Sequence, residues 1–201
     1  MRKILKNRLA LSTVVTTLII LVVSVLLAGV VTYFAINVTS TRVQEESLHL
    51  TKQHVWYKAG ASGEAVGAIM IINTGGRDVV IDKLTVRGQE VSWAGATQKI
   101  YYAITTESIS SDLEFHDATE LAANVDLQTD LTELSASTVL EAATSDVTLP
   151  SGQTMIIYIT SPDSITINDI GLTVAITVFT SQAMYYKETN VQAYVASSGS
   201  S

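Results

Sequence analysis

The sequence predicts an α+β chain, a long N-terminal hydrophobic α-helix followed by an antiparallel β-sandwich. Three observations predict it. Between Arg8 and Arg42 lie thirty-three residues without a charged side chain. After Gly60-Ala61-Ser62-Gly63 the apolar pattern changes to the period of strands, with turn residues between the runs. Cysteine is absent, so the second part must be held by its own core rather than by disulfides.

The run Leu11–Val38 reads LSTVVTTLIILVVSVLLAGVVTYFAINV. As a helix it is about 42 Å long at ~1.5 Å per residue, against a hydrocarbon core of ~30 Å. It can therefore span a membrane with tilt. Val and Thr lose rotamer freedom in a helix, so water is a poor medium for it. In lipid or inside a bundle the backbone must bond internally, which selects the helix. Four basic groups precede it, Arg2, Lys3, Lys6 and Arg8, with no acid among the first ten residues. That asymmetry orients the chain with its N-terminus cytoplasmic and Arg42–Ser201 outside. No Gly or Pro follows Gly29 until Gly60, and the reading places the helix over residues 11–54 with a strand beginning at Val55-Trp56-Tyr57. A stripe of small residues, Thr13, Thr17, Ser24, Ala28, Thr32 and Ala35, interrupted by Leu21, would let helix backbones approach closely.

The second part, residues 55–201, carries strand candidates at Ala65–Asn73, Asp78–Arg87, Ile100–Thr105, Gln153–Thr160, Ser164–Ile167, Gly171–Thr180 and Met184–Val195. Asn73-Thr74-Gly75-Gly76, Gly88-Gln89, Pro150-Ser151-Gly152 and Ser181-Gln182 supply the turns. Residues 106–148 are acidic, rich in Ser, Thr and Ala, and free of Gly and Pro. They read as an irregular insertion with one short helix near Ala118–Leu127. The tail Ser197–Ser201 reads as frayed.

The formal net charge is −7, and twelve Asp or Glu but no Lys or Arg lie between Ile100 and Tyr186. Such a surface repels nucleic acid and anionic lipid. It is either a solubilising face or one that docks on a basic patch of a neighbouring subunit. Arg42 to Lys99 carries seven basic and six acidic residues.

Lys6-Asn7-Arg8-Leu9-Ala10-Leu11-Ser12-Thr13-Val14-Val15 resembles the leader junction of archaeal type IV pilins. In that family a short basic leader ends in a small residue and runs directly into a hydrophobic helix. The resemblance implies residues 1–10 as a leader, recognised through Arg2, Lys3, Lys6 and Arg8, and a prepilin peptidase cut between Ala10 and Leu11. The family usually places Lys or Arg directly before the small residue, whereas here Leu9 intervenes. The order of strands and turns is similar to the immunoglobulin-like domains of archaeal pilins and archaellins. The resemblance further implies a helical homopolymer, an assembly ATPase and a membrane platform protein. The precursor would lie in the cell membrane and the product in an extracellular filament for adhesion, attachment or motility.

Other readings of the same segment are a cleaved secretory signal, which would have a hydrophobic region of about 7–15 residues, and a plain anchor for an extracellular binding module that does not polymerise. An enzyme has no residue support. No catalytic or phosphate-binding signature occurs, and no cofactor is implied. His49, His54 and His116 have no recognisable partner spacing. Asn124, Asp126, Asp130 and Glu133 could offer oxygens to calcium but lack the glycine and ligand order of an EF-hand loop. Trp56, Trp93, Tyr101, Tyr102, Tyr185 and Tyr186 suit a core or an interface. Asn37-Val38-Thr39 is the single glycosylation sequon, on the hydrophobic helix.

Overall fold

A computed structural model describes residues 2–43, 45–60, 63–93 and 99–195, with the side chains of residues 2–10 and 41–43 left out. It divides into two compact units, residues 1–44 and 45–201. The first is one helix, α1 (Arg2–Val43). The second contains β1 (Leu48–Lys58), β2 (Glu64–Asn73), β3 (Val79–Val86), β4 (Gln89–Glu90), β5 (Ile100–Thr105), the short helix α2 (Ala118–Ala122), β6 (Glu141–Ala142), β7 (Val147–Leu149), β8 (Thr154–Thr160), β9 (Thr173–Thr180) and β10 (Met184–Tyr194). The chain is thus an N-terminal apolar helix followed by a mostly antiparallel β domain.

The strands form one hydrogen-bonded path, β4-β3-β9-β10-β1-β2-β8-β5-β6, with β7 on β3. All pairings are antiparallel except β1 with β10, which run parallel over Val55–Lys58 and Val191–Tyr194. The path curls, because its two arms share one core. Ile81, Leu84 and Val86 of β3 and Val174, Ile176 and Val178 of β9 cluster with Ile69 and Ile71 of β2 and Met155, Ile157 and Ile159 of β8. β9 alternates as a one-sided strand should, with every second residue buried.

The arm β1-β2-β8-β5 does not alternate, and the reason lies outside the sheet. Val66, Ala68 and Met70 of β2, Ile156 and Tyr158 of β8 and Tyr101 and Ala103 of β5 point away from the shared core into a second one. Its other half is Ile109, Leu113, Leu121, Leu127, Leu131, Leu134 and Leu140. The 106–148 segment is therefore a covering layer, and β2 and β8 are buried on both faces because of it.

The structure corrects four expectations. The helix ends at Val43, not His54, and residues 48–54 are strand. Leu48 and Leu50 pair with Asn73 and Ile71 of β2, and this pairing outweighs the absence of a helix breaker. A β-bulge hides the alternation. The register with β2 shifts between Thr51 and His54, and Lys52 adopts φ of 51°. One extra residue lets Leu50 and Val55 face the same core although they are five apart. Ser164–Ile167 is not a strand; Asp169 accepts from the amide and hydroxyl of Thr166 and closes a 3-10 turn there. The strand ending at Gly88-Gln89 instead turns back as a two-residue hairpin into β4, with Arg87 and Gly88 at φ of 53° and 80°. The expected helix near Ala118–Leu127 is the single turn of α2. The tail Ser197–Ser201 lies outside the described residues.

Candidate functional site: an uncovered helix and a clamped covering layer

Leu11–Ser40 of α1 is a 30-residue stretch long and apolar enough to cross a membrane, and each of its residues is exposed. At ~1.5 Å per residue it measures about 45 Å. Four of its hydroxyls bond carbonyls of the same helix. Thr16 donates to Ser12 O (2.8 Å), Thr17 to Val14 O (2.9 Å), Ser24 to Ile20 O (2.7 Å) and Thr32 to Ala28 O (2.8 Å). An uncharged, largely apolar helix whose hydroxyls can bond its own carbonyls suits a medium without water. Thr13, Thr17, Ser24, Ala28, Thr32 and Ala35 fall within roughly 100° of arc at ~100° per residue, so the stripe occupies one face. Asn37 lies on the exposed surface of the helix. The Ala10–Leu11 junction lies within unbroken helix. The side chains of Arg2, Lys3, Lys6, Arg8 and Ala10 are outside the described set.

In the β domain the charges are turned inward on the chain itself. Lys52, aimed by the bulge, donates to the carbonyls of Ser110 and Ser111. Glu133 takes the amides and hydroxyls of the same two serines, so this peptide is gripped from both sides. The Ser110 and Ser111 hydroxyl bonds hold the Glu133 carboxyl down to about 2. Lys58 pairs with Asp117 at 3.0 Å, Arg87 with Asp169 at 2.6 Å and Lys99 with Asp163 at 2.5 Å. Hydrogen bonds from the Glu120 amide and then Lys58 keep Asp117 below the usual carboxylate range.

Other acids replace the missing Gly and Pro as turn formers. Asp117 accepts from the amides of Thr119 and Glu120 while the Glu120 carboxylate accepts from Asp117 N, a capping box. Asp126 accepts from Gln128 N and Thr138 N, and Glu107 from Ser135 N. The oxygen donors weighed for calcium are thereby dispersed. Asp126 closes its own loop, Asp130 faces His116, and Glu133 holds the serines. Among the described residues no group of three His, Cys, Asp or Glu converges as a metal site. The docking idea also narrows, since Lys52, Lys58, Arg87 and Lys99 are engaged within their own domain.

The sequence did not reveal the partners of the histidines. His54 stacks on Trp56 with centroids 4.9 Å apart and meets Asp112 at 2.8 Å. Trp56 meets Phe115 edge-on at 6.0 Å, and Phe115 stacks on Tyr194 at 3.9 Å. Spacing along β1 was the available signal: past the bulge His54, Trp56 and Lys58 share the face toward the covering layer. Two shallow adjoining cavities of about 330 Å³ run beside β5, sharing Ile104, Ser137 and Thr138, without a converging set of titratable groups.

No family model matches the chain, and no curated protein matches it. Among solved structures it is similar to a copper-bound PCuAC domain from PmoF2, with a TM-score of 0.30 and 13% identity over 75% of this chain and 100% of the other. It is also similar to a collagen-binding domain from a Staphylococcus aureus adhesin, with a TM-score of 0.31 and 11% identity over 71% of this chain and 97% of the other. At these values neither likeness carries an argument about fold or function.

Proposed function

We propose that this chain is the structural subunit of a surface filament of the archaeal type IV pilin kind, with an immunoglobulin-like sandwich as its head. One observation carries the reading. A β domain with two cores of its own is joined to a 30-residue, uncharged and largely apolar helical stretch whose every residue is exposed. The cover for α1 must come from outside the chain. Lipid supplies it first, and the helices of other copies supply it after assembly. Because lipid is as apolar as the helix, the gain on assembly comes from close packing rather than from dehydration. The small stripe from Thr13 to Ala35 gives one face on which backbones can approach.

In this reading the basic leader holds the precursor N-in and C-out, and a prepilin peptidase cuts between Ala10 and Leu11. An ATPase and a membrane platform then drive assembly, and the filament serves adhesion, attachment or motility. In this reading the head acts as a coat. The test is to shear surface material from cells expressing the chain and sequence its N-terminus. Regular fibres containing a chain that begins at Leu11 support the proposal, and Ala10→Asp should abolish them. A detergent-extracted monomer retaining Met1 would make the chain an anchored binding module instead.

A further inference from the structure

The strand path ends differently on its two sides. On one side β3 is flanked by the two-residue β4 and by β7. On the other, β5 pairs with β8 through all its residues from Ile100 to Thr105, but with β6 only at Tyr101 and Tyr102. The rest of that edge is open.

The alternation of hydrogen bonds tells which groups the open edge presents. Thr160 N donates to Lys99 O at 2.8 Å, in register with the β5–β8 ladder, so the odd-numbered residues of β5 bond β8. Ala143 N donates to Ile100 O at 2.9 Å, so the even-numbered residues turn toward β6, where Tyr102 meets Glu141. Two residues on, Ile104 turns its N–H and C=O the same way and has no strand opposite it among the described residues. In the β6 register its counterpart would be Val139. That stretch is bonded elsewhere. Leu140 N donates to Val125 O and Leu127 N to Thr138 O, both at 2.9 Å, around a bridge from Asp126 to Val139. Thr138 and Leu140 thus bond the 125–127 segment, and Val139, like Glu141, turns its N–H and C=O toward β5. Asp126 holds the stretch back, accepting from Thr138 N at 2.9 Å and from the Ser137 hydroxyl at 2.6 Å.

Ile104 and Val139 therefore look at each other without bonding, and both line the first of the two adjoining cavities beside β5. The second continues past Thr105 to Glu107. From Tyr102 to Thr105 the wall spans about 10 Å at ~3.4 Å per residue, the length of three to four extended residues. Free N–H and C=O groups in strand geometry are what another extended backbone recognises. The walls also carry negative charge. Glu141, exposed and without an ion pair among the described residues, borders the first cavity. Glu107, which accepts from Ser135 N at 2.7 Å, borders the second. No Lys or Arg from Ile100 to Tyr186 offsets them. We infer that this cleft is a docking slot for an extended, basic peptide segment of a partner protein, which adds along the free edge of β5 and takes a further bond from Val139. The slot belongs to the β domain alone and does not depend on what covers α1.

The test titrates the full chain, isotopically labelled on its amides, in a nonionic detergent at low salt. The probe is an acetylated and amidated hexapeptide of alternating Lys and Thr, and the same peptide with Glu for Lys is the charge control. By NMR the Ile104 and Val139 amides should shift and exchange with solvent more slowly, while those of Gln89 and Glu90 on β4 stay put. The lysine peptide should bind about fivefold tighter than the glutamate peptide, or more, and lose that lead as salt rises. Ile104→Pro removes a donor that no ladder bond uses and should weaken the lysine peptide about fivefold. Val139→Pro makes the same cut on the other wall, should the first variant fail to fold. Glu141→Gln, at an exposed position, should weaken the lysine peptide about threefold with the backbone untouched. Ile104 and Val139 amides that stay put up to millimolar peptide, shifts as large on β4, or equal binding of the two peptides overturns the inference.

Discussion

Two stretches of this chain are rich in apolar residues and free of charge, and they end in opposite environments. In β2, Ala65–Ile71 is buried without a gap, with strands on both sides, the shared core on one face and the covering layer on the other. In α1, Leu11–Ser40 has no buried residue at all. Neither carries a charge, so charge does not separate them. What separates them is who supplies the cover. Within the domain the chain supplies it, with seven apolar side chains of the 106–148 segment facing β2, β8 and β5. For α1 the proposed function assigns the cover to other molecules, lipid first and other copies of the helix after assembly.

The sharpest way to break this contrast is to make the same cut in both stretches. Ile71→Ala removes a side chain with 0% exposure at the centre of the shared core. It should cost about 3 kcal/mol, within the usual 2–5 for such a truncation. Ile20→Ala removes an exposed one and should change domain stability by less than about 0.5 kcal/mol. Denaturant unfolding of the full chain in detergent, followed by tryptophan fluorescence, measures both. Equal losses would mean that α1 is covered by its own domain. Gly75→Ala comes next. An added Cβ there would meet Glu45 O at 2.7 Å and Ser47 N at 2.8 Å, both backbone, where the domain begins. Overpacking against backbone should cost about 1–3 kcal/mol in the same assay.

Much of the contrast was legible in the sequence, and the failures have definite causes. α1 announced itself through length, freedom from charge and basic flanks. β5 was read at its true ends, Ile100 and Thr105, and β8 and β10 to within one residue. β1 was half lost, because the bulge at Lys52 breaks the period that would have marked Leu48 and Leu50 as strand. β4, β6 and β7 are two or three residues long and have no period to find. The 106–148 layer was read as an excursion because its turns use carboxylates rather than Gly and Pro. Its six leucines, Leu113, Leu121, Leu127, Leu131, Leu134 and Leu140, all buried, were the missed sign of a core. His116 and Glu120, four apart, could have been paired from sequence. His54–Asp112 and His116–Asp130 could not, since only the fold brings them together.

That dependence on carboxylates gives the covered side an acid weakness that α1 lacks. The Glu133 carboxyl is lowered from 4.5 to about 2 in the folded chain. A depressed carboxyl stabilises the fold in full above its unfolded value and loses that contribution as pH falls through its folded value. The grip on Ser110 and Ser111 should therefore weaken between about pH 4.5 and pH 2. Hydrogen exchange of the Ser110 and Ser111 amides should accelerate over that range. In Glu133→Gln they should exchange faster at neutral pH and respond little to acid. Acid sensitivity that survives Glu133→Gln unchanged would place the weakness elsewhere.

The smallest expected effect bears on what covers α1. Ser24 bonds its own helix at Ile20 O, so Ser24→Ala loses little in any apolar medium. Ser24→Ile instead fills a gap in the small face. If lipid is the only cover, a larger apolar side chain costs nothing there, and both variants match the parent. If copies of the helix pack through this face, the added bulk separates their backbones. Self-association in micelles should then weaken by on the order of 1 kcal/mol, about fivefold, for Ser24→Ile and hardly at all for Ser24→Ala. Energy transfer between labelled chains at several detergent-to-protein ratios measures it. Because lipid and a neighbouring helix are equally apolar, the response to bulk rather than to polarity tells the two covers apart.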